Sequence, residues 1–304
     1  MRVLAIILAC LALGVAGLYA LAPRPTALTQ ADLPQDHQPD LENGRRIYFA
    51  AGCISCHSGS SDAAAEDAGL PIGGEAFKTP IGTFYPPNLT PDPETGLGKW
   101  SAVDLANALM HGAAPNGALL LPALPYTSYR NTRPTDVVDL YAYLRSLTPV
   151  KHPVPPHDVP GLTLLRPLIG WWQELAFRTE PFQPDPARSE AWNRGAYLVR
   201  GPGHCGECHT PRNWLMIADN SRFLAGGPHP EGQGRVPSLR GLIERGEFTS
   251  AQDLADALEY GEAYGYDGLS SGGMGEVQAN LSKLPRQDLD AIADYLASLP
   301  ALPN

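Results

Sequence analysis

The sequence is short of several residue types, and each shortage argues against a class of protein. Only 18% of the 304 residues are charged, and the net charge is −10. A nucleic-acid-binding surface needs a basic surplus, so nucleic acid is excluded as a partner and a basic protein surface is favoured instead. The period-two alternation that marks strands is scarce, which predicts an all-α fold. The five cysteines include two CxxC pairs, and disulfides within such pairs would close only tiny loops.

Glycine and proline are abundant, with 31 of each, although 43% of the residues are hydrophobic. Such a chain is rich in loops but too apolar to be disordered. It can still be compact if a large apolar group replaces part of the side-chain core.

The N-terminus carries an export signal of one of two kinds. Arg2 precedes an uncharged run over residues 3–22, which as a helix would rise about 30 Å and cross a bilayer. Residues 20–22 also fit the small-residue cleavage pattern of a signal peptide, but Pro23 follows directly and hinders cleavage. We therefore favour an uncleaved anchor in the inner membrane with the remaining chain on the periplasmic side. Cleavage would leave the protein free in the periplasm.

The chain repeats itself in three features. An N-terminal helix leads into a CxxCH motif, a second helix follows, and a third closes each copy. The three offsets between the copies are 152, 149 and 152 residues, which indicates a duplicated domain. The matching segments are 43–57 with 193–209, 101–109 with 250–258, and 136–147 with 288–299.

These features predict five segments. Residues 1–22 form the anchor or signal, 23–38 a tether, 39–150 the first domain, 151–188 a Pro-rich linker and 189–304 the second domain. Asp40 and Ser189 are the predicted N-caps of the two leading helices.

Trp171 and Trp172 lie in the linker. They fit either the membrane interface, where amphipathic rings collect, or packing between the domains. We favour packing, because buried aromatics dominate ordinary interfaces.

The CxxCH motifs suit covalent attachment of haem. Two thiols add to the two vinyl groups of one macrocycle, and the adjacent histidine supplies the proximal iron ligand. A zinc site would want a fourth ligand close by, and a thioredoxin-like site a βαβ pattern, and neither is evident. The predicted cofactors are two covalently bound haem c groups, held by Cys53, Cys56, His57, Cys205, Cys208 and His209.

The sixth iron ligand is predicted for only one of the two haems. Met274 lies in a glycine-rich loop before the last helix of the second repeat, where the backbone can approach a haem closely. Met216 follows His209 by only seven residues, which makes the opposite face hard to reach.

The first repeat has Leu124 where a methionine would be expected, and leucine cannot bind iron. Candidate replacements lie after the second helix of that repeat or in the linker. An open, five-coordinate iron is equally compatible with the sequence. The candidates are Met110, His111, His152 and His157.

Residues 40–300 resemble the dihaem cytochrome c electron-transfer proteins, which include cytochrome subunits of membrane-bound alcohol, gluconate and aldehyde dehydrogenases. The motifs that carry the resemblance are 52–57, 87–90 with 98–101, 125–129 and 203–213. The resemblance implies two tandem class I cytochrome c folds with His57 and His209 as proximal ligands and Met274 as a distal ligand. In that family the first distal methionine stands at the position of Leu124 or near Thr132, and this chain departs from the pattern at both.

The expected function is electron transfer outside the cytoplasmic membrane. The donor would be a membrane dehydrogenase or a quinol-oxidising complex, and the acceptor another cytochrome or a terminal oxidase. The alternative is a dihaem redox enzyme of peroxidase or thiosulfate-oxidising type that uses an open first haem. A role as an electron-transfer protein or subunit is favoured over a stand-alone enzyme.

Overall fold

The computed structural model describes residues 2–59, 69–79, 81–177, 181–230, 234–261 and 273–302. In the first half of the chain the helices are α1 (Arg2–Ala20), α2 (Leu41–Ala50), α3 (Cys53–His57), α4 (Ala102–His111), α5 (Tyr126–Tyr129) and α6 (Pro134–Ser146). The linker holds α7 (Leu162–Leu165) and α8 (Ile169–Ala176). The second half contains α9 (Glu190–Arg200), α10 (Gly206–His209), α11 (Ala251–Tyr260), α12 (Gly273–Leu281) and α13 (Arg286–Ala297).

Two short antiparallel pairs depart from a purely helical fold. Strand β1 (Phe77–Thr79) pairs with β2 (Gly82–Phe84), and β3 (Gly227–Pro228) pairs with β4 (Arg235–Val236). Strands of two or three residues are too short to produce an alternating pattern, so the sequence did not indicate them. Within the described ranges the regular structure is mostly helical, in agreement with the coarser part of the prediction.

Each half is organised around one helix crossing. Helix α2 packs on α6, and α9 packs on α13. A glycine at each crossing lets the two backbones approach closely. A Cβ added at Gly44 would lie 2.1 Å from the Asp139 carbonyl oxygen, and one added at Gly195 would lie 1.8 Å from that of Ala291. The sequence repeat therefore corresponds to a repeated tertiary contact.

The predicted helix caps are confirmed. The Asp40 carboxylate accepts hydrogen bonds from the backbone N–H groups of Glu42 and Asn43, and the Ser189 side chain accepts one from the N–H of Trp192. These bonds satisfy donors that the first helical turn leaves free.

Two clusters of buried apolar side chains form the core. The first cluster includes Leu33 from the segment 23–38, where the Leu28 backbone also exchanges two hydrogen bonds with the Asn107 amide. The second cluster also takes in Ala50, at the end of α2. The first comprises Leu33, Ile47, Tyr48, Leu97, Leu105, Ala106, Val137, Leu140 and Leu144. The second is built mainly by α9, α11 and α13.

The linker tryptophans have different surroundings. The Trp172 indole N–H donates to the Leu215 carbonyl at 2.7 Å, and its ring meets Tyr126 edge-on, so Trp172 joins the two halves as the packing hypothesis predicted. Trp171 instead remains 38% exposed and donates to the carbonyl of Leu18, at the end of α1. Neither hypothesis holds for both residues.

His157 fastens the start of the linker to the first half. Its Nδ1 accepts a hydrogen bond from the Tyr85 backbone N–H at 3.1 Å, and its ring packs against Phe84. Burial, with a contribution from Arg166, lowers the pKa of His157 below its ordinary value. The neutral imidazole is the form that can accept this bond.

Acidification is therefore expected to weaken this attachment. The folded-state pKa lies below that of the unfolded chain, so the stabilisation is present above pH of about 6.5 and is lost as pH falls. His157→Asn retains an acceptor but does not titrate. Urea unfolding of the holoprotein at pH 7 and pH 5 should show a smaller acid-induced loss in this variant than in the wild type. Equal losses would exclude His157 as a contributor.

Candidate haem-binding sites

Both CxxCH motifs lie on short helices that present the histidine in the same way. The Nδ1 of His57 is 2.7 Å from the Pro87 carbonyl oxygen, and the Nδ1 of His209 is 2.8 Å from that of Pro237. Since a carbonyl only accepts, Nδ1 carries the proton and Nε2 keeps its lone pair for a metal. Burial lowers the pKa of His57 to about 4 and that of His209 below its ordinary value, which favours the neutral ligand form.

The cysteines fit thioether attachment to haem better than the alternatives. Burial raises the pKa values of Cys53 and Cys205 to about 12, whereas a reactive thiol or a zinc thiolate needs a lowered pKa. Cys56 and Cys208, the second cysteines of the motifs, are exposed. Across the ranges that the structure describes, no three His, Cys, Asp or Glu side chains converge to hold a bare metal ion. Two cysteines and an adjacent histidine in each motif are the donor set of a covalently attached haem.

Met274, expected in a loop, lies instead at the start of α12 and packs against the second core cluster. The same cluster includes Leu254 and Leu258 of α11 and has Cys205 at its edge. Met274 is thus in the half that holds His209. Met216 is 47% exposed in a loop with a positive φ of 60°, which suits a surface residue.

In the first half, Leu124 lies close to the place that corresponds to Met274. It stands two residues before α5, whereas Met274 is the second residue of α12. Among the alternatives, Met110 packs against the first core cluster, and His111 is half-buried with its carbonyl bonded to Gln173.

The two linker histidines, His152 and His157, lie near the segment before Pro87, whose carbonyl contacts the His57 ring. The His152 ring lies beside Gly74, and His157 binds the Tyr85 backbone. The segment 73–74 is itself bonded to His57 and Pro86 through the backbone. Both linker histidines therefore lie next to the residues that hold His57.

The two attachment motifs meet at the contact between the halves. The carbonyl of Ala51, two residues before Cys53, accepts from the Tyr129 hydroxyl at 2.9 Å. The Nε2 of His204, which precedes Cys205, lies 3.3 Å from the same oxygen. The Tyr129 and His204 rings also pack edge to face. One carbonyl group therefore links the residues that lead into both motifs.

Each motif also binds the opposite half, through residues at equivalent positions. The Asn280 amide of α12 donates to the Ser55 hydroxyl at 2.7 Å, and the Ser128 hydroxyl of α5 donates to the Glu207 carboxylate at 2.5 Å. Glu207 lies 152 residues after Ser55 (207 minus 55), and Asn280 lies 152 after Ser128 (280 minus 128). The two hydrogen bonds therefore join equivalent positions of the two repeats, related by the offset of 152 residues that separates the CxxCH motifs.

Glu207 is the strongest of these links. Its carboxylate also accepts from the Thr127 hydroxyl at 2.7 Å and pairs with Arg212. Burial by itself would raise the pKa of Glu207, but Arg212 and the two hydroxyls outweigh it, so the pKa lies below its usual value. Sequence reasoning missed this residue. Aligning the sequences of the two repeats would have shown that Glu207 stands at the position of Ser55, inside a CxxCH motif.

Removal of the Glu207 carboxylate is expected to cost far more than removal of its counterpart hydroxyl. Glu207→Ala leaves Arg212, whose side chain is 17% exposed, as an unpaired charge, with a loss of about 3 kcal/mol in the free energy of unfolding. Ser55→Ala removes one neutral hydrogen bond, a loss of about 1 kcal/mol. Urea unfolding of both holoproteins measures the difference. Similar losses would show that Glu207 is not an interfacial anchor.

Comparison with known proteins places these motifs in a family. Residues 41–148 match the family model described as cytochrome c. A protein named "Diheme cytochrome c-type" from Cereibacter sphaeroides is 42% identical over 291 residues, which cover 95% of each chain.

Two further relatives are longer than this chain. "Fructose dehydrogenase cytochrome subunit" of Gluconobacter japonicus is 36% identical over 91% of this chain and 56% of its own length. "Alcohol dehydrogenase (quinone), cytochrome c subunit" of Gluconacetobacter polyoxogenes is 35% identical over 91% of this chain and 59% of its own. The chain thus matches one relative over 95% of its length and spans 56% and 59% of the length of the other two.

The identity over nearly the whole length extends the assignment past residues 41–148, which match the family model. With a CxxCH motif in each half and the Nδ1 of each motif histidine bonded to a carbonyl oxygen, the chain belongs to the dihaem c-type cytochromes, electron-transfer proteins with two covalently bound haem c groups.

Proposed function

We propose that the chain is a two-step electron relay on the periplasmic side of the inner membrane, built from two tandem class I cytochrome c domains. The proposed domains are residues 39–150 and 189–304, joined by the linker 151–188 and preceded by the tether 23–38. Cys53, Cys56 and His57 would hold one haem, and Cys205, Cys208 and His209 the other. Met274 would be the distal ligand of the second haem. In each site the histidine would ligate the iron through Nε2.

The observation that carries the relay is the meeting of the two attachment motifs. Ala51, Tyr129 and His204 connect the residues that lead into them, and the Ser55 and Glu207 bonds repeat the connection on both sides. Electron transfer within one chain needs the two cofactors held in a fixed relation, and a double hydrogen-bonded contact supplies it. When bound, the haems supply the one-electron chemistry, and the protein supplies their position and ligands.

A membrane dehydrogenase is the proposed donor, with a quinol-oxidising complex as the other source of electrons. This proposal is supported by the relatives that are cytochrome subunits of dehydrogenases. The chain spans 56% of the length of one such subunit and 59% of the other. Helix α1, with a mean hydropathy of 2.5, is long and apolar enough to cross a membrane and is the proposed anchor for residues 1–22. The proposed acceptor is another cytochrome or a terminal oxidase.

The relay is tested with membranes from a strain that lacks this chain. Substrate-dependent oxygen uptake is measured with alcohols, sugars, aldehydes and gluconate. Loss of uptake with one substrate class, restored by the wild-type chain, is the expected result. Restoration by His57→Ala together with His209→Ala, which removes both proximal ligands, would contradict electron transfer through the haems.

A second candidate function rests on Leu124. A first haem without a sixth protein ligand would be open to a small substrate, as a redox enzyme requires. Carbon monoxide discriminates between the two, because it binds ferrous haem only at an open position. Binding of carbon monoxide at one haem would favour the redox enzyme. If it bound at neither haem, the electron relay would be the favoured function.

A further inference from the structure

The linker packs on the end of the apolar helix α1. The Tyr19 hydroxyl donates to the Leu164 carbonyl at 2.5 Å, and the Trp171 indole donates to the Leu18 carbonyl at 3.0 Å. Gly170 lies against Pro23, where an added Cβ would come within 1.9 Å of the carbonyl oxygen. Three contacts therefore fix the segment 162–176 at the same level as residues 18–23.

This segment exposes apolar side chains beside those contacts. Leu164 is 66% exposed and Leu165 is 52% exposed, and Leu21, which directly follows α1, is 73% exposed. Trp171 and Leu175 are each 38% exposed. Adjacent exposed leucines and an exposed tryptophan are costly in water and typical of a surface that contacts another phase or a partner.

The length of α1 sets the depth of this surface. Its 19 residues span about 28 Å along the helix axis, close to the thickness of a bilayer's hydrocarbon core. Leu18 and Tyr19 then lie at the boundary between acyl chains and headgroups. The segment hydrogen-bonded to them must lie at that boundary as well, where tryptophan is favoured.

We propose that the linker segment 162–176 is a second membrane contact that lies in the headgroup region of the leaflet through which α1 leaves the bilayer. The occupant of the apolar surface is phospholipid. Exposed Leu164, Leu165, Leu175 and Trp171 enter the interface, and Arg24 and Arg166, which adjoin these contacts in the sequence, reach the phosphates. This inference rests on the proposed anchoring by α1.

The contact sets the orientation of the haem-bearing part of the chain. Trp172, next to Trp171, bonds to Leu215 in the second half and packs on Tyr126 in the first. In this arrangement α8 contacts lipid through Trp171 and the two halves through Trp172. The helix cannot rotate without breaking one of these two contacts. The relay therefore has a fixed face toward the membrane instead of swinging on α1 alone.

Photo-crosslinking to lipid tests this arrangement in the full-length holoprotein. Single cysteines are introduced in a Cys10→Ser background, labelled with benzophenone maleimide and reconstituted in phosphatidylcholine–phosphatidylglycerol vesicles. Leu165→Cys probes the linker and Leu8→Cys the middle of α1. Tyr260→Cys, at a residue 66% exposed in the second half, is the aqueous control. Intact mass after irradiation reports phospholipid adducts.

Adducts at positions 8 and 165 but not at 260 are expected. Adducts at position 8 alone would overturn the linker contact and leave the anchor in place. Absence at both positions would overturn the anchor and, with it, the inference. Adducts at 165 without any at 8 would reject a membrane-spanning α1 and, with it, the depth that the inference assigns to the linker segment.

Discussion

Met274→Ala is expected to convert the second haem from six-coordinate to five-coordinate iron and to lower its reduction potential by on the order of 100 mV or more. A thioether ligand stabilises ferrous iron and raises the potential, so its loss favours the ferric state. Electron paramagnetic resonance of the oxidised protein should gain a high-spin signal. A redox titration should show that one of the two potentials has fallen while the other is unchanged.

Met216→Ala is the matched control for this experiment. Met216 is in the same half of the chain but lies 47% exposed on a loop, so its removal should leave both spectra and both potentials as they are. An unchanged spectrum in Met274→Ala would reject Met274 as a ligand. If only the potential of the first haem shifted, Met274 would be a ligand of the first haem and the proposed assignment to the second would be wrong.

Gly195→Ala is expected to lower the free energy of unfolding by about 3 kcal/mol or more. The new methyl carbon would lie 1.8 Å from the Ala291 carbonyl oxygen and 3.0 Å from the Tyr295 Cβ. Both atoms belong to the backbone or the root of a side chain in α13, so the helices must separate along the crossing. Urea unfolding of the holoprotein followed by circular dichroism measures the loss.

Gly44→Ala should give a loss of the same order, because its added carbon would lie 2.1 Å from the Asp139 carbonyl oxygen at the equivalent crossing. Gly227→Ala is the control. Its added carbon would meet Pro211 no closer than 3.4 Å, an ordinary contact. A loss in Gly227→Ala as large as in Gly195→Ala would show that the crossings are not specially sensitive.

Features that depend on a few neighbouring residues were predictable from the sequence. Asp40 and Ser189 cap their helices because a short side-chain acceptor needs only the next three N–H groups. The CxxCH motifs carry their chemistry within five residues, so their assignment needed no tertiary information. The duplicated order of helices followed from offsets in the sequence alone.

Features that depend on distant residues were not predictable. Nothing near Glu207 in the sequence indicates that Thr127 and Ser128 would bind its carboxylate, since the partners are about eighty residues away. Trp171 and Trp172 are neighbours with the same side chain, but consecutive helical residues point in different directions. A single role for the pair was therefore the wrong expectation. Leu33 is buried although its segment has no periodic pattern.

The exchanged bonds at Ser55 and Glu207 have a consequence for the origin of the chain. A contact in which one copy's motif binds the other copy's helix, and the reverse, is the arrangement of a two-fold symmetric homodimer. A single ancestral copy would already have possessed both surfaces needed to pair with itself. Fusion of two such copies would join surfaces that already pair, and the linker would raise the local concentration of one half around the other. The two motifs of such a pair need not be identical, and they differ at the equivalent positions Ser55 and Glu207.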